Sequence, residues 1–157
     1  MSPKVAESPT PYEVERGKPM PSFNHGFIQA NLIYEFKKHG THSVLSELKL
    51  EMQELPNLVP DISIVPMQKL DLHHDQIRYP EPPLMTVEIL SPTQGDYMVI
   101  QNAHRYLEFG VKSCWIVHPT AHTIQIIEPE GKSAVFSEGV ITDPATGLTV
   151  DLAAVFS

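Results

Sequence analysis

The sequence predicts an α+β (mixed α/β) fold, a central mixed β-sheet flanked by helices with extra antiparallel hairpins. Three observations predict it. Through the middle of the chain, strand-length apolar runs alternate with a helical pattern: VPDISIVP, LMTVEILSP, an amphipathic stretch over 96–109, then SCWIVH. Around these lie strand pairs joined by short turns, such as SCWIVH, PTAHT and IQIIEP. The composition is that of a globular domain: 157 residues, 41% hydrophobic and 19% charged, enough for one real core.

Taken in order, residues 1–11 are polar and Pro-rich, the composition of a loose arm, and 12–157 are expected to form a single domain. YEVERGKPMP alternates around Arg16-Gly17 and reads as a short hairpin or paired strand. Pro21-Ser22 opens a helix with Ser22 or Asn24 as N-cap, running to about His39 and stopped by Gly40. Its buried stripe is Ile28, Leu32 and Phe36, with Ile33 beside it and His25 at its first turn. A helix N-terminus disfavours imidazolium, so a neutral His25 with one hydrogen bond is the natural reading. THSVLSELKLEM reads as an antiparallel strand with Val44, Ser46, Leu48 and Leu50 on one face and Glu47 on the other, solvated or near an acidic site.

Residues 67–83 form the longest irregular segment. Their His73, His74 and Asp75 lack a four-ligand spacing, which argues for a solvated loop rather than a zinc site. A second helix spans about Asp96 to Phe109, closed by Gly110, with Val99, Ile100, Ala103, Leu107 and Val111 inward; Asn102 and Tyr106 share a neighbouring face. The final SAVFSEGVITDPATGLTVDLAAVFS reads as short strands, a Gly-containing turn and a brief helical turn.

LMTVEILSP places one carboxylate, Glu88, inside an apolar strand, on the face of Leu84, Thr86 and Leu90. A carboxylate in such surroundings costs roughly several kcal/mol unless a cation, a donor or water compensates it. Asp61 stands at the head of VPDISIVP, or in the turn before it. Two strand-borne acids suit a shared divalent metal; a wet strand end, or a structural ion pair with Arg or Lys, explains Glu88 as well.

The formal net charge of −8 argues against non-specific affinity for nucleic acid, which rests on phosphate neutralisation, while leaving room for a local basic groove. The single cysteine, Cys114, sits in an apolar strand and reads as a buried small hydrophobe. No stretch is long and apolar enough to span a bilayer, and the first residues lack a signal core, so a cytoplasmic location is expected.

Five segments in order, GKPMPSFNHGFIQANL, VPDISIVP, VEILSPTQ, YLEFGVKSCWIVHP and DPATGLTVDL, carry a family likeness. Over about residues 12–156 the chain resembles the Uma-two family, restriction endonuclease-like domains of the PD-(D/E)XK nuclease superfamily. The resemblance implies a restriction endonuclease-like sheet, with the helices from Ser22 and from Asp96 as the two core helices. It implies that Asp61 and Glu88 bind magnesium or manganese, with the Ile89 backbone carbonyl completing the coordination, for hydrolysis of DNA phosphodiesters. The superfamily's usual lysine falls at Leu90, and the family's alternative position on the next helix falls at Asn102. Asparagine carries no charge to stabilise the transition state. His104 and Arg105 lie about 200° and 300° round the helix from it. Gln94 would orient water or phosphate; His25, Glu47 and Tyr106 would neighbour the site. The likeness therefore implies either a metal-dependent endonuclease, weakened at Asn102 and restorable in part by Asn102→Lys, or an inactive nuclease-fold binding or assembly module. A cytosolic metal-binding protein is the remote third reading. The apolar WIV–IQII hairpin, together with the pairing habit of DNA-cleaving relatives, suggests a homodimer.

Overall fold

The computed structural model describes residues 8–54 and 56–157, so positions 1–7 of the expected arm lie outside the described residues. Residues 8–10 are exposed and irregular.

The expected hairpin at 12–21 is instead a helix, α1 (Pro11–Arg16). Pro11 opens it at a position where a missing N–H is harmless. The Glu13 amide donates to Thr10 Oγ1 at 3.2 Å and the Thr10 amide to the Glu13 carboxylate at 3.1 Å, a reciprocal cap. Gly17 ends the helix at φ 74°. These end signals outweigh the strand-like alternation.

Helix α2 (Phe23–Lys37) is capped by Ser22, whose hydroxyl accepts from the His25 amide. Strand β1 (His42–Ser46) is shorter than the expected 41–52 run. Its register with β2 (Ile62–Pro66) ends at Ser46 opposite Ile62, and Glu47 turns away at φ 49°. Leu50 therefore belongs to no common strand face with Val44; it bridges Tyr79 beyond the turn. Then come β3 (Met85–Ile89), α3 (Asp96–Phe109), β4 (Ser113–His118), β5 (Thr123–Ile127) and β6 (Ser133–Phe136). A small ribbon, β7 (Val140–Thr142) with β8 (Thr149–Asp151), leads into α4 (Leu152–Val155).

The six strands order as β1-β2-β3-β4-β5-β6. Only β3 and β4 run parallel, and α3 makes the crossover that a parallel pair requires. Alternate strand residues feed two apolar layers. Ile28, Leu32 and Phe36 of α2 meet Val87, Trp115 and Ile126 on one face. Val99, Ala103 and Tyr106 of α3 meet Cys114 and Ile116 on the other.

Two expectations change here. The α3 stripe is Val99, Ala103 and Tyr106; Ile100 and Leu107 lie only partly buried at its flanks, because the Tyr106 hydroxyl finds an acid inside. The WIV–IQII hairpin is internal: Trp115, Val117, Ile124 and Ile126 are all buried in the α2-side core, so the apolar residues that suggested pairing are already used. Asp143 ties the ribbon to the main sheet, accepting from Trp115 Nε1 at 2.8 Å, from Ser113 Oγ and from the Thr146 amide at 2.8 Å.

The 67–83 segment is largely irregular, as expected, and His74 Nδ1 lies 3.0 Å from Asp71. No helix among the described residues is long and apolar enough to cross a membrane.

Candidate acid–lysine site

Asp61 ends the turn before β2, and Glu88 is the fourth residue of β3. The antiparallel β2–β3 register, Ile62 opposite Val87, brings their side chains to one end of the pair. Both are buried, Asp61 at 0% and Glu88 at 4% exposure.

The cation between them comes from the N-terminal segment. Lys18 Nζ donates to Asp61 Oδ1 at 2.7 Å and to Glu88 Oε2 at 2.8 Å. Arg16, itself buried, donates from Nη2 to Asp61 Oδ1 at 2.8 Å and from Nε to Glu47, and also reaches the Pro19 carbonyl. Tyr12 closes this outer layer by donating to Glu47 at 2.7 Å. Helix α1 and its Gly17 stop thus aim Arg16 and Lys18 at the buried acids, with Tyr12 on Glu47.

The second Asp61 oxygen accepts the Ile89 amide at 2.7 Å. Ile89 enters the site through this N–H. His25 Nε2 lies 3.1 Å from the same oxygen, but off the direction that a hydrogen bond needs; among the described residues neither ring nitrogen has an aligned partner. Gln29 donates to the Asp61 carbonyl at 2.8 Å. Tyr106, on α3, donates its hydroxyl to Glu88 Oε1 at 2.7 Å.

Burial by itself would raise Asp61; the His25 contact, Lys18 and the Ile89 amide outweigh it and hold the carboxyl at about 2. Burial raises Glu88, and the neighbouring Asp61 charge adds to the rise, against the lowering by Lys18 and Tyr106. Burial opposes the Lys18 charge, yet Glu88 and Asp61 overcome it and raise the amine. The shifts of Lys18 and Glu88 pull opposite ways on one contact. The geometry favours the ionised pair, since both groups that reach Glu88 are donors. Burial also raises Tyr106, well above the phenol's ordinary value, and lifts the Cys114 thiol to about 12, so Cys114 is no nucleophile.

Of the residues singled out in the sequence, Asp61, Glu88, Ile89, His25, Glu47 and Tyr106 converge here. Glu47 is not simply solvated: it anchors Arg16. Asn102 is half-buried one turn before Tyr106 and makes no side-chain hydrogen bond to the acids among the described residues. Gln94 lies in a neighbouring cleft of about 340 Å³, with His25, Leu90 and Asp96. Arg16 and Lys18 escaped the sequence reading; nothing in a hairpin assignment points either toward acids 45 and 43 residues away. The Thr10-x-x-Glu13 cap was the one available signal, since a helix ending at Gly17 turns the next residues back toward the sheet.

A mixed sheet flanked by helices, with a helical crossover between its one parallel pair, is the fold of a restriction endonuclease-like protein. The chain belongs to the Uma2 family, described as "Putative restriction endonuclease", which matches residues 13–154. It is similar to a solved structure described as a putative nuclease belonging to DUF820 from Anabaena variabilis, with a TM-score of 0.75 and 25% identity, over 88% of this chain and 83% of that one. No curated protein matches the chain.

Proposed function

We propose that this protein is a metal-dependent nuclease acting on DNA phosphodiesters, with Asp61, Glu88 and Lys18 as its reacting set. The observation that carries the proposal is Lys18 Nζ, within 2.8 Å of both acids. The resemblance left the cation position empty at Asn102; a lysine from the segment after α1 supplies that charge by another route.

The donor set suits magnesium or manganese: one oxygen from each acid points at a single cation position, and hard divalent ions take carboxylate oxygens. In this structure the ammonium fills that position, so metal binding requires Lys18 to withdraw on its flexible four-carbon stem. When bound, such an ion neutralises phosphate charge and activates water. Asp61 is held in place by the Ile89 amide and by Arg16, and Glu88 is oriented by Tyr106. Lys18, once off the acids, offers a point charge to a phosphate oxygen. The Ile89 carbonyl would complete the ion's coordination, and Gln94 would orient water or phosphate.

The test is nicking of supercoiled plasmid with magnesium or manganese. Wild type should nick; Glu88→Gln should not, and Lys18→Met should lose about 10²–10³ in rate, the usual effect of removing one positioned charge-stabilising donor. Asn102→Lys alone should gain little, while Lys18→Met with Asn102→Lys asks whether α3 can carry the cation instead. A second reading, an inactive module locked by Lys18, draws on the burial of both acids. Wild type nicking no faster than Glu88→Gln would establish that reading and overturn the first.

A further inference from the structure

At the start of α2 lies a cleft of about 320 Å³ with four aromatic residues in its walls. Phe23 opens α2 with 83% of its surface exposed, and Phe27, one turn on, is 49% exposed. Their ring centres are 6.0 Å apart, tilted by 33°. Opposite them, His122 stacks on Phe156 at 5.0 Å with planes 9° apart. His122 holds φ 51° in the turn between β4 and β5. Two large exposed phenylalanines on one helical turn contribute nothing to the core.

This cleft shares Asn24 and Pro119 with the neighbouring one that contains His25 and Gln94. His25 is 1% exposed, and both its ring nitrogens lack an aligned partner among the described residues. The two clefts therefore join at Asn24 and Pro119, and His25, whose Nε2 lies 3.1 Å from Asp61 Oδ2, stands between them and the buried acids. Planar apolar rings beside a phosphodiester site fit unpaired bases, whose faces a duplex keeps stacked on each other.

We propose that the cleft formed by Phe23, Phe27, His122 and Phe156 stacks the unpaired bases of a single-stranded nucleic acid and leads its backbone to the acid–lysine site. The link to that site rests on the nuclease reading; the stacking does not. The experiment is fluorescence anisotropy of wild-type protein in EDTA, which prevents hydrolysis. The probes are a fluorescein-labelled single strand of about 12 nucleotides and the duplex of equal length. The single strand should bind at least about 10-fold tighter than the duplex, and Phe23→Ala and Phe27→Ala should each weaken it about 10-fold, the scale of one lost ring. Phe23→Tyr should keep the affinity and Phe23→Leu should lose it, because leucine preserves apolar surface but has no π-face. Equal binding of the two probes, no binding of either, or full affinity in Phe23→Leu would overturn the proposal. So would a dimer, seen by light scattering, that Phe23→Ala dissociates while oligonucleotide binding is untouched. Strong single-strand binding with no cleavage of either the plasmid or the labelled single strand in magnesium or manganese would sink the nuclease reading and leave the stacking cleft standing.

Discussion

Lys18 decides how two buried carboxylates coexist. Without its ammonium, Asp61 and Glu88 would face each other in a space closed to water. Lys18→Met is expected to lower stability by roughly 3–5 kcal/mol, the effect of breaking a buried ion pair from one side. Adding Glu88→Gln should return part of that, read as urea midpoints. The pH dependence follows from Asp61. Its folded value, about 2, lies below the ordinary 3.8, so its contribution is complete above pH 3.8 and is lost as pH falls through about 2. Asp61→Asn should therefore flatten the acid limb of the stability curve below pH 3.8. An acid limb unchanged in Asp61→Asn would show that other carboxylates govern it.

At the scale of elements, α1 is the bracket that delivers the cations. Thr10→Ala removes its cap and should cost about 1 kcal/mol locally. Faster hydrogen exchange over 11–17, together with slower nicking, is the expected outcome, since Arg16 and Lys18 depend on where this helix ends. The two glycine stops differ. Gly17 and Gly110 both have positive φ, but a Cβ at Gly17 meets nothing within 4 Å, whereas at Gly110 it would lie 2.9 Å from Pro82 Cγ. Both alanine variants should be destabilised through backbone strain, by more than about 1 kcal/mol, and Gly110→Ala should melt at the lower temperature. Helices α2 and α3 were legible because their caps, stops and periodicity are local. Helix α1 has only six residues, too few for a stripe, and its capping box competed with an apparent alternation.

For the molecule as a whole, the late hairpin belongs to the core. Ile126→Ala should cost roughly 2–5 kcal/mol, the range for large-to-small changes in a packed interior, without altering the mass seen by light scattering. A change in mass at unchanged stability would restore the hairpin as a pairing surface. Trp115→Phe should destabilise as well, because it leaves Asp143, 0% exposed, without one of its donors.

The sequence by itself determined the α+β class, four of the six strands of the main sheet near their observed limits, both long helices, and the two buried acids. Those features are written in local periodicity, caps and turn residues, and in the rule that a carboxylate inside an apolar strand needs a partner. The length of β1 was not so written, because Glu47 turns the chain where the alternation continues. Nor was the partner of the acids. Lys18 meets Asp61 across 43 residues of chain and Glu88 across 70. An ion pair is set by the approach of atoms in space, and no spacing in the sequence encodes it. The tertiary structure alone decided that the ammonium between the acids comes from Lys18, behind α1, and that Phe23 and Phe27 stay exposed while Phe36, Tyr79, Tyr106 and Trp115 are buried.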